Sequence, residues 1–191
     1  MVLLIAFSSL LALSTGCTES EYQKVVDEEL AKGIRQDSLF LGLALGMSKK
    51  EFFAHCWQLN KQGVVTDGKG NTAVQYTLDH FKNPTFMNFY PAFYEDNIYE
   101  MPVEFQYQGW APWNDHLSSE HLQEEVVKLL KEWYGGDFME LTHPDGYPFL
   151  VKVDGNRRIV VHQYNDHIVK AVFTDLLVEK RLHQDNPSTA Q

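Results

Sequence analysis

The sequence lacks the short motifs that mark many catalytic and ligand-binding sites. It contains no HExxH zinc motif, no P-loop, no GxSxG nucleophile turn, no CxxC pair and no DxDxDG calcium loop. Its eight histidines are spread singly along the chain. The closest two pairs, His116 with His121 and His162 with His167, have no further ligand residue at a recognisable spacing. The sequence therefore gives no reason to expect a cofactor or a metal ion.

Clustered positive charge is also missing. The chain has 16 Lys and Arg residues against 26 Asp and Glu residues, for a formal net charge of −10. The basic residues are scattered, whereas a surface that binds phosphate groups needs them close together. This excludes nucleic acid as an expected partner, and the acidity disfavours binding to an anionic membrane surface.

No apolar run is long enough to cross a bilayer as a helix, which takes about 20 residues. The longest run covers residues 2–13, and it lies in an N-terminal stretch without charged side chains. The run ends in the small residues Ser14, Thr15 and Gly16, which is typical of a secretory signal peptide and its processing site. We expect residues 1–16 to be a signal peptide. The alternative is a buried N-terminal helix or strand.

Cys17 follows this stretch directly, and the sequence around it resembles the lipobox of bacterial lipoproteins. The resemblance implies cleavage before Cys17 and attachment of diacylglycerol to its thiol. A cysteine that carries more than one acyl chain is anchored stably in a membrane. The alternative is an ordinary signal peptide followed by a cysteine without a role. Lipidation leaves Cys56 without a disulfide partner, so we expect Cys56 to be a buried structural thiol.

The rest of the chain divides into a polar tether, one folded domain and a tail. Residues 17–38 are mostly polar, and their few apolar residues have helical spacing, which predicts an amphipathic helix over about 20–34. We expect a domain over 39–180 and a disordered polar tail over 181–191. A chain of this length buries about 70% of the surface of its unfolded state, so it needs no disulfide to fold.

The most clearly marked helix lies between Gly46 and Gly63. Ser48 and Glu51 have the spacing of a capping box, in which each side chain accepts a hydrogen bond from the other residue's backbone N–H. Gly63 favours the end of the helix because glycine adopts the left-handed conformation easily. The residues predicted to form the apolar face are Phe52, Phe53, Cys56, Trp57 and Leu59.

Segments of alternating polarity follow this helix, and a second helix with its own strands comes later. The second helix begins after Leu117 and Ser118 and has an apolar stripe from Leu122 to Trp133. We therefore predict an α+β domain in which helices pack on an antiparallel sheet. The predicted strands are 72–78, 85–90, 98–107, 138–141, 148–153, 156–161 and 168–177.

The two helix-plus-strands segments share a layout. When the two segments are aligned, Met47 corresponds to Leu117 and Ser48 to Ser118. The long last strands of the two segments then start at equivalent positions. This predicts a tandem repeat of one helix and three strands, with units over about 39–109 and 110–180. The alternative is a chance similarity between two parts of an α+β chain.

The Gly46-Met47-Ser48 start of the first helix resembles the Gly-Met-Thr helix start of the small outer-membrane-assembly lipoproteins of the SmpA/OmlA type. The tandem layout is similar to that of the β-lactamase-inhibitor protein. After Leu59 the sequence departs from the Leu-Gly-x-Pro pattern of SmpA/OmlA-type proteins, so no functional residue is transferred. The resemblances imply a lipid-anchored protein of a Gram-negative cell envelope, in the outer membrane.

Among the titratable residues, Asp175 is the one placed in an apolar strand. A buried carboxylate needs partners, for example Arg157 or Arg158. We interpret Asp175 as part of a structural ion pair, with a catalytic acid as the alternative.

Aromatic residues are concentrated in two segments that proline interrupts, and loops with rigid aromatics suit contact with a protein or a sugar. The alternative is that these rings cover the ends of the core. The candidate binding residues are Tyr90, Phe93, Tyr94, Trp110 and Trp113.

Export, a small α+β domain and the missing catalytic motifs together favour a non-enzymatic envelope module that binds a protein partner. A module that binds a carbohydrate or small ligand through Trp110 and Trp113 is the first alternative. A hydrolase with an unrecognised pair of acids is the second.

The lipid anchor makes a direct prediction. Cys17→Ala should abolish incorporation of labelled palmitate, because the thiol that receives the diacylglycerol is gone, whereas Cys56→Ala should retain the label. Metabolic labelling followed by gel analysis measures both variants. Label that persists in Cys17→Ala would contradict the anchor.

Overall fold

The computed structural model describes residues 20–185 except 69 and 71. The expected signal peptide, Cys17 and residues 186–191 of the expected tail lie outside the described residues. The described chain is an α+β domain with a nine-stranded antiparallel sheet and four α-helices, which confirms the predicted fold class. None of the helices in this part of the chain has the length and apolar character needed to cross a membrane.

Two helices precede the first group of strands, and one helix separates it from the second. The first part contains α1 (Glu21–Ala31), α2 (Lys49–Lys61), β1 (Val65–Asp67), β2 (Val74–Leu78), β3 (Thr85–Phe89), β4 (Ala92–Tyr94) and β5 (Asn97–Tyr107). A short 3-10 helix, Asp115–Leu117, leads into the second part. This part contains α3 (Ser119–Tyr134), β6 (Met139–Thr142), β7 (Pro148–Asp154), β8 (Arg157–Asn165), β9 (Ile168–Asp175) and α4 (Leu176–Asp185).

The strands form one sheet in the order β1-β2-β3-β5-β9-β8-β7-β6, and β4 also pairs with β5. β5 and β9, the last strands of their groups, are antiparallel neighbours from Glu100 opposite Thr174 to Phe105 opposite Val169. β1 and β6 are the edges of this open sheet.

One face of the sheet carries the main core. Side chains at alternate positions of β5, β8 and β9 pack there against α3, whose buried residues include Leu122, Val126 and Leu130. On the other face, α1 packs against β7 through Val26, Val151 and Val153. Because neighbouring residues of a strand point to opposite faces, β7 contributes to both layers.

α2 has the predicted capping box. The Ser48 hydroxyl accepts a hydrogen bond from the Glu51 N–H (3.3 Å), and the Glu51 carboxylate accepts one from the Ser48 N–H (3.0 Å). At the start of α3, the expected cap by the Ser118 side chain is not formed.

The apolar face predicted for α2 is only partly buried. Phe52 and Cys56 are buried and Leu59 is half-buried, whereas Phe53 is 46% exposed and Trp57 is 57% exposed. Successive residues of a helix are separated by about 100° around its axis. The sheet covers the stripe of Phe52 and Cys56, and the neighbouring stripe of Phe53 and Trp57 remains accessible.

Several segments differ in secondary structure from the prediction. Val65–Asp67, absent from the predicted strands, forms β1, and residues 176–177, predicted as the end of the last strand, begin α4. Ala92–Tyr94, expected in a loop, forms β4, because Glu95 and Asp96 both take a positive φ (48° and 63°) and close a tight hairpin with β5. Neither residue is a glycine, so the usual sequence signal is missing. Residues 181–185, assigned to the tail in the prediction, belong to α4, where Lys180 pairs with Asp27 and Asp185 accepts a hydrogen bond from Tyr94.

Residues 34–38, here called the strap, connect α1 to the main core across the β7–β8 turn. Arg35 donates a hydrogen bond to the buried carboxylate of Asp175 (2.9 Å), and the Gln36 N–H donates to the Asn156 side chain (2.6 Å). The partner expected for Asp175 was therefore wrong. Arg157 lies opposite Asp175 in the β8–β9 ladder, but its guanidinium donates to the Ser38 carbonyl and pairs with Asp154. Arg158 pairs with Glu179.

The strap passes so close to the β7–β8 turn that only glycine fits there. A Cβ at Gly155 would lie 2.2 Å from the Ile34 carbonyl oxygen, and Gly155 has a φ of +53°. Gly63 has a similar φ of +72° but open space around it.

Gly155→Ala should therefore destabilise the fold more than Gly63→Ala. In both variants an alanine must adopt a left-handed backbone conformation, which costs about 1–2 kcal/mol. In Gly155→Ala the contact of the new Cβ with the strap adds an overpacking cost of about 1–3 kcal/mol. Urea unfolding of the two variants measures the difference. Equal losses of unfolding free energy would contradict the close contact of the strap.

Candidate functional site

The five candidate aromatics lie at different places along β5. Phe93 and Tyr94 lie in β4 beside its first residues, Tyr90 follows Phe89, which pairs with Val103 in the middle of β5, and Trp110 and Trp113 follow its last residue. A strand rises about 3.4 Å per residue, so β5 separates Tyr94 from the tryptophan loop by roughly 34 Å and Tyr90 from it by about half of that. The five residues therefore do not form one binding surface.

The two tryptophans do not form a joint platform. Trp110 is half-buried, packs against the core and stacks on His167 with ring centroids 4.4 Å apart. Trp113 is 86% exposed and makes no ring contact within the described residues. Trp113 could stack on a sugar ring only as a single exposed side chain, and not together with Trp110.

Phe93 and Tyr94 support the structure around the β4–β5 hairpin. Phe93 is half-buried and contacts Phe52, with ring centroids 6.0 Å apart, and Lys49 lies over its outer face. The Tyr94 hydroxyl donates a hydrogen bond to Asp185 (3.2 Å), and this bond to a carboxylate raises the pKa of Tyr94. These two residues match the alternative that the aromatic side chains cover the end of the core.

Tyr90 contributes to a different surface, which we call the α2 groove. It is an open cavity of about 640 Å³ between α2 and the ends of β1, β2 and β3. The buried side chains of Phe52 and Cys56 form its floor, and the exposed rings of Phe53 and Tyr90 form its walls. The full lining is Phe52, Phe53, Cys56, Asp67, Thr72, Ala73, Val74 and Tyr90.

The aromatic walls of the α2 groove hold one another in place. The Tyr90 ring packs edge-on against Phe52 with centroids 6.0 Å apart, and Phe53 lies 6.4 Å from Tyr90. Trp57 extends the aromatic surface by one helical turn beyond Phe53, and Lys61 lies 3.5 Å from its ring centroid. Packed rings lose little conformational freedom when a ligand binds, which favours recognition.

Sequence reasoning placed Phe53 and Trp57 on the apolar face of α2 and so missed them as surface residues. A signal was present, because five apolar residues on one short helix span a wider arc than contact with a sheet requires. The sequence alone could not show which edge of that arc stays uncovered.

Cys56 is not a nucleophile at neutral pH. The side chain is 8% exposed, and burial raises the pKa of its thiol to about 11. The thiolate is the reactive form of cysteine, so the protonated Cys56 acts as a small apolar residue in the groove floor. This agrees with the expectation of a structural thiol.

The titratable residues singled out from the sequence have separate surroundings within the described part of the chain. Both carboxylate oxygens of Asp175 are occupied, one by Arg35 and the other by the Leu177 N–H. His162 is half-buried, and its pKa is lowered by burial and by the positive charge of Lys170. His116 and His121 line a separate cleft of about 430 Å³ with Glu124 and Glu125. Across the described residues, no group of three or more such side chains is arranged to hold a metal ion.

Comparison with known proteins found no matching family model, no similar curated protein and no similar solved structure.

Proposed function

We propose that this protein is an exported, lipid-anchored module of the cell envelope that binds a protein partner in the α2 groove. The observation that carries the proposal is the group of exposed rings, Phe53, Trp57 and Tyr90, around an apolar floor. Large apolar residues grouped on a surface mark interaction sites, and tryptophan and tyrosine are enriched among the residues that dominate binding energy.

The edge of the sheet beside the groove favours a protein as the ligand. β1 pairs with β2 on one side, and within the described residues no strand lies on its other side. An extended peptide gains backbone hydrogen bonds at such an edge and inserts alternate side chains into a neighbouring pocket. The α2 groove lies at the Asp67 end of β1, where it would receive those side chains.

The envelope location is supported by the N-terminal sequence. A signal peptide over 1–16, a lipobox cysteine at Cys17 and a polar segment up to residue 38 would place the domain beside an outer membrane. α1 and the strap would then hold the anchored end of the chain against the β7–β8 turn through Arg35 and Gln36. The anchor would thereby fix the domain close to its partner.

We also propose that the two helix-plus-strands units, about 39–109 and 110–180, are a tandem repeat. The support is that each principal helix precedes its own group of antiparallel strands and that the last strands, β5 and β9, meet in the sheet. In this repeat α2 and α3 would be the corresponding helices, although α3 packs over β5, β8 and β9 and α2 packs at β1.

The test uses a photo-crosslinking amino acid at position 53 or 57 in cells that make the full chain. We expect one defined protein adduct from these positions and none from position 113, which is exposed but remote from the groove. Mass spectrometry identifies the adduct, and its binding to the isolated domain is then measured.

The double variant Phe53→Ala plus Trp57→Ala should weaken this binding about 30-fold or more, because truncation of a dominant aromatic costs about 2 kcal/mol or more. Both side chains are exposed, so the thermal unfolding midpoint should change little. Trp113→Ala, matched in exposure and residue type, should bind as the wild type does. An unchanged affinity of the double variant for the crosslinked partner would contradict the proposal.

A further inference from the structure

A second groove lies on the other flank of the sheet, between α3 and strands β7 and β8. It consists of two adjoining cavities of about 540 and 290 Å³ that share Gln123 and Gln163 in their walls. We call this surface the α3 groove. The larger cavity falls in the size range of pockets for small ligands, about 300–1,000 Å³.

The walls of the α3 groove differ in chemistry from those of the α2 groove. Planar amide side chains line it at Gln123, Gln163 and Asn165, and each amide offers both hydrogen-bond donors and an acceptor. Val127 and Leu150 add an apolar strip beside the amides, and the charged side chains of Glu120, Glu124, Lys128 and Lys131 line the rest of the larger cavity. Such a mixture suits a ligand that presents many hydroxyl groups together with small apolar patches.

Hydrogen bonds within the fold position two of the three amides, those of Gln163 and Asn165. The buried Ser119 hydroxyl donates a hydrogen bond to the Gln163 side-chain oxygen (3.4 Å), and within the described residues no bond engages the Gln163 NH₂ group. The Asn165 side-chain oxygen accepts hydrogen bonds from the N–H groups of His167 and Ile168. These bonds orient the amide, and its NH₂ group remains available to donate to a ligand. Donors fixed in this way bind without a large loss of side-chain freedom.

An aromatic ring borders the smaller cavity. Tyr147 is 41% exposed, and one face of its ring stacks on His143 with centroids 4.4 Å apart and an angle of 13° between the planes. A tight turn fixes this pair, because the His143 N–H donates to the Tyr147 carbonyl and the Asp145 N–H donates to the His143 ring. The turn therefore presents a ring of fixed orientation at the mouth of the groove.

We propose that the α3 groove binds an oligosaccharide that contains N-acetylhexosamine units. The C–H face of one sugar ring stacks on Tyr147, and the amides of Gln123, Gln163 and Asn165 bond to sugar hydroxyls and to the acetamido group. The acetamido methyl group packs on Val127 and Leu150. This site uses neither Trp110 nor Trp113 and is separate from the α2 groove.

The experiment titrates the folded domain with chitotetraose, with cellotetraose as the matched sugar that lacks acetamido groups. Two-dimensional NMR follows the side-chain amide signals of Gln123 and Gln163. We expect these signals to shift with chitotetraose and to stay unchanged at the same concentration of cellotetraose. Absence of shifts with chitotetraose overturns the site, and equal shifts with both sugars overturn the role of the acetamido group.

Two variants check the contacts one at a time. Gln123→Ala removes one amide from the surface of α3, and Tyr147→Ala removes the ring, so each should raise the Kd for chitotetraose at least tenfold. Trp113→Ala and Phe53→Ala should leave the Kd unchanged. A loss of affinity in Trp113→Ala, with none in Gln123→Ala, would assign the sugar to the loop tryptophans instead. Because Phe53→Ala belongs to the other groove, failure of the sugar site leaves the protein-binding proposal standing.

Discussion

The pairing of β5 with β9 is the interaction on which the rest of the structure depends. These strands are the last of their respective groups, and their ladder joins two meanders into one sheet. Met101, Val103 and Phe105 of β5 lie beside Ala171 and Phe173 of β9, and all five are fully buried. Without this ladder, each meander would expose an edge strand and half of an apolar face to water, which is unfavourable for both.

The two grooves follow from how the helices cover this sheet. α3 lies over β5, β8 and β9, and α2 packs at the β1 side, so the middle of one face is closed while its flanks stay partly open. On one flank the opening has rings at Phe53 and Tyr90, and on the other it has amides at Gln123 and Gln163. One continuous face thus offers an apolar surface suited to a protein and a mixed surface suited to a sugar.

Local patterns in the sequence were sufficient to predict most of the elements, although not β1, β4 or α4, and they did not predict the surfaces. Alternating polarity located the longer strands, and the Ser48–Glu51 spacing predicted the start of α2, because these signals act over a few residues. The exposure of Trp57 depends on how far the sheet extends under the helix. The partner of Asp175 is Arg35, 140 residues away in the sequence. The spacing of apolar and polar residues carries no information about a contact between such distant segments. The candidate site was predicted least well, since it arises from packing between distant segments.

Hydrogen exchange under native conditions tests most directly the claim that β5 and β9 unite the domain. If this ladder unites the domain, the amides of β5 and β9 exchange most slowly and only through global unfolding. Both halves then show the same free energy of opening and the same dependence of that free energy on denaturant concentration. Separate opening of residues 39–109 and 110–180, with β5 and β9 losing protection at different free energies, would contradict it.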